Sequence, residues 1–453
     1  MLRPTACILN PYLAPMNREI LRLAVPNVLS NISVPLLSSF DTILMGQLSG
    51  AHIAAVGLGS MAFNFVYWNF GFLRMSTTGL TAQAYGREDA RGQAAALGRA
   101  ALLALGISLL LLVFQYPFAE LTHWLLNLRA NQIVMVDEYF YTRLLAAPAA
   151  LLLMVLFGWF FGRQNAVVPL ILTLIINLGN MVVSYYLVTE LDWGISGVAW
   201  GTVMAQYMGL ACALVVLLAT HYGISLKTIR AALRPDSASV TTTSLKDFFN
   251  INRDIFIRTV CLTLSFVFFY NRANALDVST AVVAANVILL QLVNWLSYGV
   301  DGFAFAAESL VGKYHGAGNP TALQRAIRLV FYWGMGLAAL YALVYYLGDT
   351  TLLQLFAPEN TAPETLEAAL YYLPLVVAFC ILATPCYLFD GIYVGLTAAK
   401  AMRQTMILAF AAYLLTYYLF GQFFGNWGLW LSLLLFMVYR AGMQWWWMKA
   451  GRV

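Results

Sequence analysis

Apolar runs of about 20–30 residues, separated by short polar breaks, repeat along the whole chain. An α-helix needs about 20 such residues to cross a bilayer. The runs lie near residues 19–45, 53–83, 93–118, 132–160, 166–188, 194–219, 247–273, 279–310, 322–347, 365–389, 399–420 and 426–448. This pattern predicts twelve transmembrane helices, several of them long enough to tilt or to extend past the hydrocarbon.

The breaks are asymmetric. One side carries Arg87, Arg91, Arg163, Lys227, Arg230, Lys246, Lys313, Arg325, Lys400 and Arg403, and both chain ends join it with Arg3, Arg18, Lys449 and Arg452. The other side holds Arg129 and Arg272 among acids such as Glu190, Asp192, Asp349 and Glu364. The positive-inside rule then predicts a multi-pass membrane protein with both termini in the cytoplasm.

The longest polar break, residues 221–244, divides the spans into two sets of six. It predicts a bundle over 1–220, a cytoplasmic linker over 221–245 and a second bundle over 246–453. An offset of 230 residues matches Ala54 and Ala55 to Ala284 and Ala285, Asn64 to Asn294, Leu80 to Leu310 and Gly86 to Gly316. These matches point to a parallel duplication, an arrangement in which transporters bind substrate at the repeat interface.

Composition agrees. Of 453 residues, 61% are hydrophobic and 10% charged, against about 25% charged in soluble domains. No polar stretch is long enough for a large soluble domain. The opening residues, interrupted by proline and lacking a small-residue cleavage site, are not expected to be a signal peptide. Five cysteines, mostly inside apolar runs, do not predict a disulfide framework. The net charge of +5 resides in loops and does not point to nucleic acid. There is no G-x-x-x-x-G-K-[ST], H-E-x-x-H or G-x-S-x-G, and the four histidines are scattered. An enzyme, a cofactor or a structural metal is not expected.

Asp41 ends the first span. A carboxylate at mid-membrane costs about 2.5 to 3.5 kcal/mol, so such groups mark ion or proton sites by default. Pro26 and Pro35 interrupt the same span, and Asn27, Ser30 and Asn31 lie where they could satisfy backbone groups freed at Pro26. The kink is either static or a hinge. In the fifth span Asn177, Asn180 and Ser184 share one helical face. They either glue helices together or line a polar site. Thr202, between the small Gly197 and Gly201, and Tyr139, at a depth similar to Asp41, add hydroxyls. Asn64, Phe65, Trp68, Asn294 and Trp295 are candidates for a cleft accepting flat cations, with packing as the plainer role. Of the other buried charges, depth pairs Arg258 with Asp301, makes Glu308 a structural anchor, and puts Asp390 near a helix end where it caps or pairs locally.

Several stretches carry a resemblance that covers nearly the whole chain. They are LAVPNVLSNISVPLLSSFDTILMGQLSG, TTGLTAQAYGRED, GWFFGRQNA, AAESLVGKYHGAGNPTALQRA and LFDGIYVGLTAAKAMRQTM. Together the chain resembles the MATE (multidrug and toxic compound extrusion) transporters, DinF-type branch. The resemblance implies an all-α fold of two pseudo-symmetric six-helix bundles forming a V. It implies a monomeric antiporter that exports cationic or amphipathic small molecules by alternating access. It also implies that Asp41 binds the coupling cation with Tyr139, Asn180 and Thr202 as companions, and that the first helix bends near Pro26. Many relatives carry a second acid where this chain has Ser184, so Asp41 is expected to act without an acidic neighbour. Protons are the expected driving ion. The alternatives are sodium held at Asp41 by neutral oxygens, and a lipid-intermediate flippase of the wider superfamily.

Overall fold

The computed structural model describes residues 13–46, 50–126, 128, 130–219, 228–230, 244–276, 279–357 and 361–452. Most of the expected linker therefore lies outside the described residues, as do the side chains of Asp41 and Phe65. Among the described residues there are sixteen α-helices, one 3-10 turn and no strand. In a bilayer this is the expected outcome, since a helix satisfies its own backbone.

In the first half, α1 spans Leu13–Gly46, α2 Gly50–Asn69, α3 Phe72–Gly86, α4 Ala90–Val113 and α5 Gln115–Leu126. They are followed by α6 (Ala130–Leu144), α7 (Ala147–Gly162), α8 (Val167–Thr189) and α9 (Gly194–Ala219). In the second half, α10 spans Leu245–Ala275, α11 Thr280–Gly316, α12 Pro320–Leu347 and α13 Asp349–Phe356. The chain closes with α14 (Pro363–Gly395), α15 (Ala399–Leu419) and α16 (Gly425–Lys449).

Eight described helices are individually long and apolar enough to cross a membrane, and the bent pair α6–α7 makes a ninth. Helix α1, the broken pair α2–α3 and α15 occupy the three remaining predicted positions. Two breaks interrupt predicted spans. Pro148, at the start of α7, cannot donate to the preceding turn, and α6 meets α7 at 51°. Between α2 and α3 the backbone tightens to i−3 bonds, Phe70 to Tyr67 and Gly71 to Trp68, both 3.0 Å. The predicted third span, 93–118, overran its helix: α4 stops at Val113 and α5 starts a separate segment.

Two hydrophobic cores form. One draws on α2–α9 and takes in Phe248 and Ile255 of α10. The other draws on α10–α16 and takes in Met16, Ile20, Leu23 and Ala24 of α1. The halves meet along α3, α1 and α11.

The duplication is visible at this seam. A Cβ on Gly86 would strike the Lys313 carbonyl, and a Cβ on Gly316 would strike the Gln83 carbonyl. These contacts are reciprocal at the offset of 230, as a two-fold related interface requires. Only glycine allows the backbones so close. The turns leaving α3 and α11 also repeat: Glu88 and Gly318 have φ of 57° and 63°. Asp89 then caps α4 by accepting from Gly92 N at 2.8 Å, and Asn319 caps α12 by accepting from Ala322 N at 3.0 Å.

Candidate functional site

Polar side chains join α1 to α8. Ser30 Oγ donates to Thr173 Oγ1 at 3.1 Å, and Asn177 Nδ2 donates to Ser33 Oγ at 2.9 Å. The two helices run in the same direction, with partners 143 and 144 residues apart. Of the residues near Pro26, Asn27 alone serves its own helix, donating to Leu23 O at 2.9 Å. Asn31 instead donates across to Tyr298 O on α11 at 3.1 Å, so α1 is tethered to both halves.

The predicted polar face of α8 is buried. Asn180 and Ser184 have no exposed surface and Asn177 little. Asn180 Nδ2 donates to Thr202 Oγ1 on α9 at 2.9 Å, and that hydroxyl donates to Val198 O at 3.1 Å. Gly201 faces Ser184 so closely that a Cβ would overlap its hydroxyl. Asn180 Oδ1 and Ser184 Oγ are buried without a hydrogen-bond partner. Unpaired buried polar atoms are costly unless something satisfies them.

Tyr139 stands apart from this trio, between α6 and α2. Its hydroxyl lies 3.0 Å from Ser60 Oγ, and its ring packs on Gly59, where a Cβ would collide with it. Next to it are Phe63, at 6.3 Å between ring centroids, and the buried, unpartnered hydroxyl of Tyr67. One turn beyond, Arg143 lies 5.4 Å from the Phe63 ring with Nε and Nη1 unpartnered. Of the cleft candidates, Asn64 and Trp68 are exposed, whereas Asn294 and Trp295 are half-buried. Trp68 faces Phe266 of α10 across the seam at 6.5 Å.

Depth along the helices misassigned one pair. Arg258 bonds Asp390 rather than Asp301. Asp390 is the shared acceptor of a buried cluster in which Arg440 Nη2 donates at 2.6 Å and Gln444 Nε2 at 2.7 Å. Its partners are therefore on α10 and α16, not local. Glu308 is an anchor between halves: Arg74 of α3 binds both its oxygens, at 2.9 and 3.1 Å, over the Phe305 ring. Sequence reading passed over Arg74, Arg143 and Arg440. Each sits inside an apolar run, where an arginine needs a partner or a cavity, and that was the available signal.

The MatE family model matches residues 26–186 and 255–420, one segment in each half. The chain belongs to the MATE family. DNA damage-inducible protein F of Escherichia coli K12 is 32% identical over 95% of this chain and 91% of its own length. A probable multidrug resistance protein NorM of Pseudomonas putida is 25% identical, covering 87% and 85% respectively. A solved structure of a multidrug resistance MATE family transporter in its outward-facing conformation superposes with a TM-score of 0.86 at 17% identity. It covers 96% of this MATE chain and 95% of that one, and so shares its fold.

Proposed function

We propose that this MATE protein is a monomeric, proton-coupled exporter of cationic or amphipathic small molecules. It lies in the cytoplasmic membrane with its basic end and termini inside. The names of its relatives, which include multidrug resistance proteins, support the substrate class. One observation carries the coupling site. The offset of 143 between Ser30 and Thr173, continued along two parallel helices, brings residue 41 level with Ser184. The unpartnered oxygens of Asn180 and Ser184 lie at that level. They supply acceptors for a protonated carboxyl group, which donates where a carboxylate cannot.

In this reading the described structure is the outward-facing state. Polar bonds between the halves gather at the basic end and reach about mid-helix. Examples are Lys313 to Glu19 at 3.2 Å, Gln164 to Ser309 O at 2.8 Å and Ser76 to Asn252 at 2.7 Å. Protonation of Asp41 removes its charge, and α1 bends at Pro26, where a backbone hydrogen bond is already missing. The polar ties of Ser30 and Ser33 to α8 then rearrange and substrate leaves. Sodium is the second reading, since the same oxygens are neutral ligands of the kind a hard cation accepts.

Proteoliposomes with an imposed proton gradient test the proposal. Asp41→Asn is expected to abolish gradient-driven export, and export at the wild-type rate would sink the coupling role. Exchanging the proton gradient for a sodium gradient separates the two ions.

A further inference from the structure

A cavity of about 930 Å³ opens at the basic end of the C-terminal half. It lies between the last turns of α11 and α16 and the first turns of α12 and α15. Lys400, Arg452 and His315 line it together with Gln404, and among the described residues no carboxylate does. The N-terminus of α15 forms one wall. Its cap residue is Ala398, which has no side chain able to accept from the first-turn N–H groups. Such a helix start favours a negative charge.

The depth of the cavity is marked by the end of α16. Trp445 and Trp446 are exposed, with Lys449 Nζ 5.1 Å from the first ring and the Arg452 guanidinium 4.8 Å from the second. Tryptophan and basic residues together at a helix end sit at the headgroup level. Trp447 and Met448 give the cavity an apolar rim beside its charges.

We propose that this cavity binds the phosphate of an anionic lipid headgroup. Basic pockets between membrane helices suit such groups. The apolar rim matches the glycerol and upper acyl region of a lipid, which a free phosphate lacks. The site is remote from the polar trio of α8 and α9, and the inference rests on the membrane fold alone, not on the coupling reading.

Occupancy bears on the seam between the halves. Thr397, a wall residue held at φ 54°, accepts from Gln83 Nε2 of α3 at 3.1 Å, and the same amide donates to Gly395 O at 2.9 Å. A headgroup anchored to Lys400 and the α15 N-terminus braces this turn and favours the state in which the basic end is closed.

Native mass spectrometry of protein released from nanodiscs of phosphatidylcholine and phosphatidylglycerol tests the site. Wild type is expected to retain phosphatidylglycerol. Lys400→Gln with Arg452→Gln weakens retention about thirty-fold, the loss expected for two basic groups near a membrane surface. Gln404→Glu places a carboxylate in the cavity and is expected to reduce retention without removing a native charge, which guards against misfolding of the double variant. Retention by both variants equal to wild type overturns the proposal. A parallel arm adds inorganic phosphate to delipidated protein. Phosphate that raises the melting temperature of wild type but not of the variants, with no phosphatidylglycerol retained, overturns the lipid assignment.

Discussion

Arg74 and Glu308 form a two-pronged ion pair between the two halves, with Nη1 and Nη2 each bonded to one carboxylate oxygen at 2.9 and 3.1 Å. Glu308 is 3% exposed and Arg74 16%. In the proposed exporter the basic end opens to load substrate, and this pair then has to separate. Removing one partner strands the other as a buried charge, which costs about 3–5 kcal/mol, whereas removing both costs far less. Arg74→Gln and Glu308→Gln are each expected to lower the melting temperature more than the double variant does. A thermal-unfolding mutant cycle in detergent measures this, and additive losses would contradict it.

Asp390 accepts from Arg258, Arg440 and Gln444 in the second half. Asp390→Ala removes the carboxylate that two buried guanidinium groups share. It is expected to lose about 3–5 kcal/mol and to fall in yield as monodisperse protein. Size-exclusion and melting measurements report this directly.

Gly201→Ala drives a methyl group into Ser184. Overpacking of this kind costs about 1–3 kcal/mol, and here it also displaces an unpartnered hydroxyl at the proposed coupling level. Gly106, in the interior of α4, has open space around it. Gly106→Ala is expected to stabilise by about 0.5–1 kcal/mol through reduced backbone entropy. Melting temperatures that shift in opposite directions would confirm both.

Tyr139→Phe removes a hydroxyl bonded only to Ser60 among the described residues. It is expected to cost about 0.5–1.5 kcal/mol of stability while leaving the fold intact. If Tyr139 belongs to the coupling site, export in proteoliposomes falls by more than this stability loss explains.

Ser184→Asp supplies a second acid one helical turn beyond Asn180. In the coupling reading, export by the parent follows one titrating group as pH is varied. The variant is expected to show two and to gain export driven by sodium. An unchanged pH profile and ion preference would place Ser184 outside the coupling site.

The lengths of the apolar runs alone determined the number and order of the spans, because a membrane-spanning helix must satisfy its own backbone bonds. The sequence also made the duplication legible, since Gly86 and Gly316 keep the same identity where the repeats touch. The shared face of Asn177, Asn180 and Ser184 followed from helical spacing, and the structure buries all three. Partner choice did not follow. Depth along a helix says how far a side chain is from water, not which neighbour its rotation faces, so Arg258 met Asp390 on α14 instead of Asp301 on α11. Helix breaks at Phe70–Gly71 and before Pro148 were hidden inside continuous apolar runs. The basic cavity beside Lys400 and the Arg74–Glu308 tie needed the tertiary structure, because each is assembled from residues far apart in sequence and brought together only by packing.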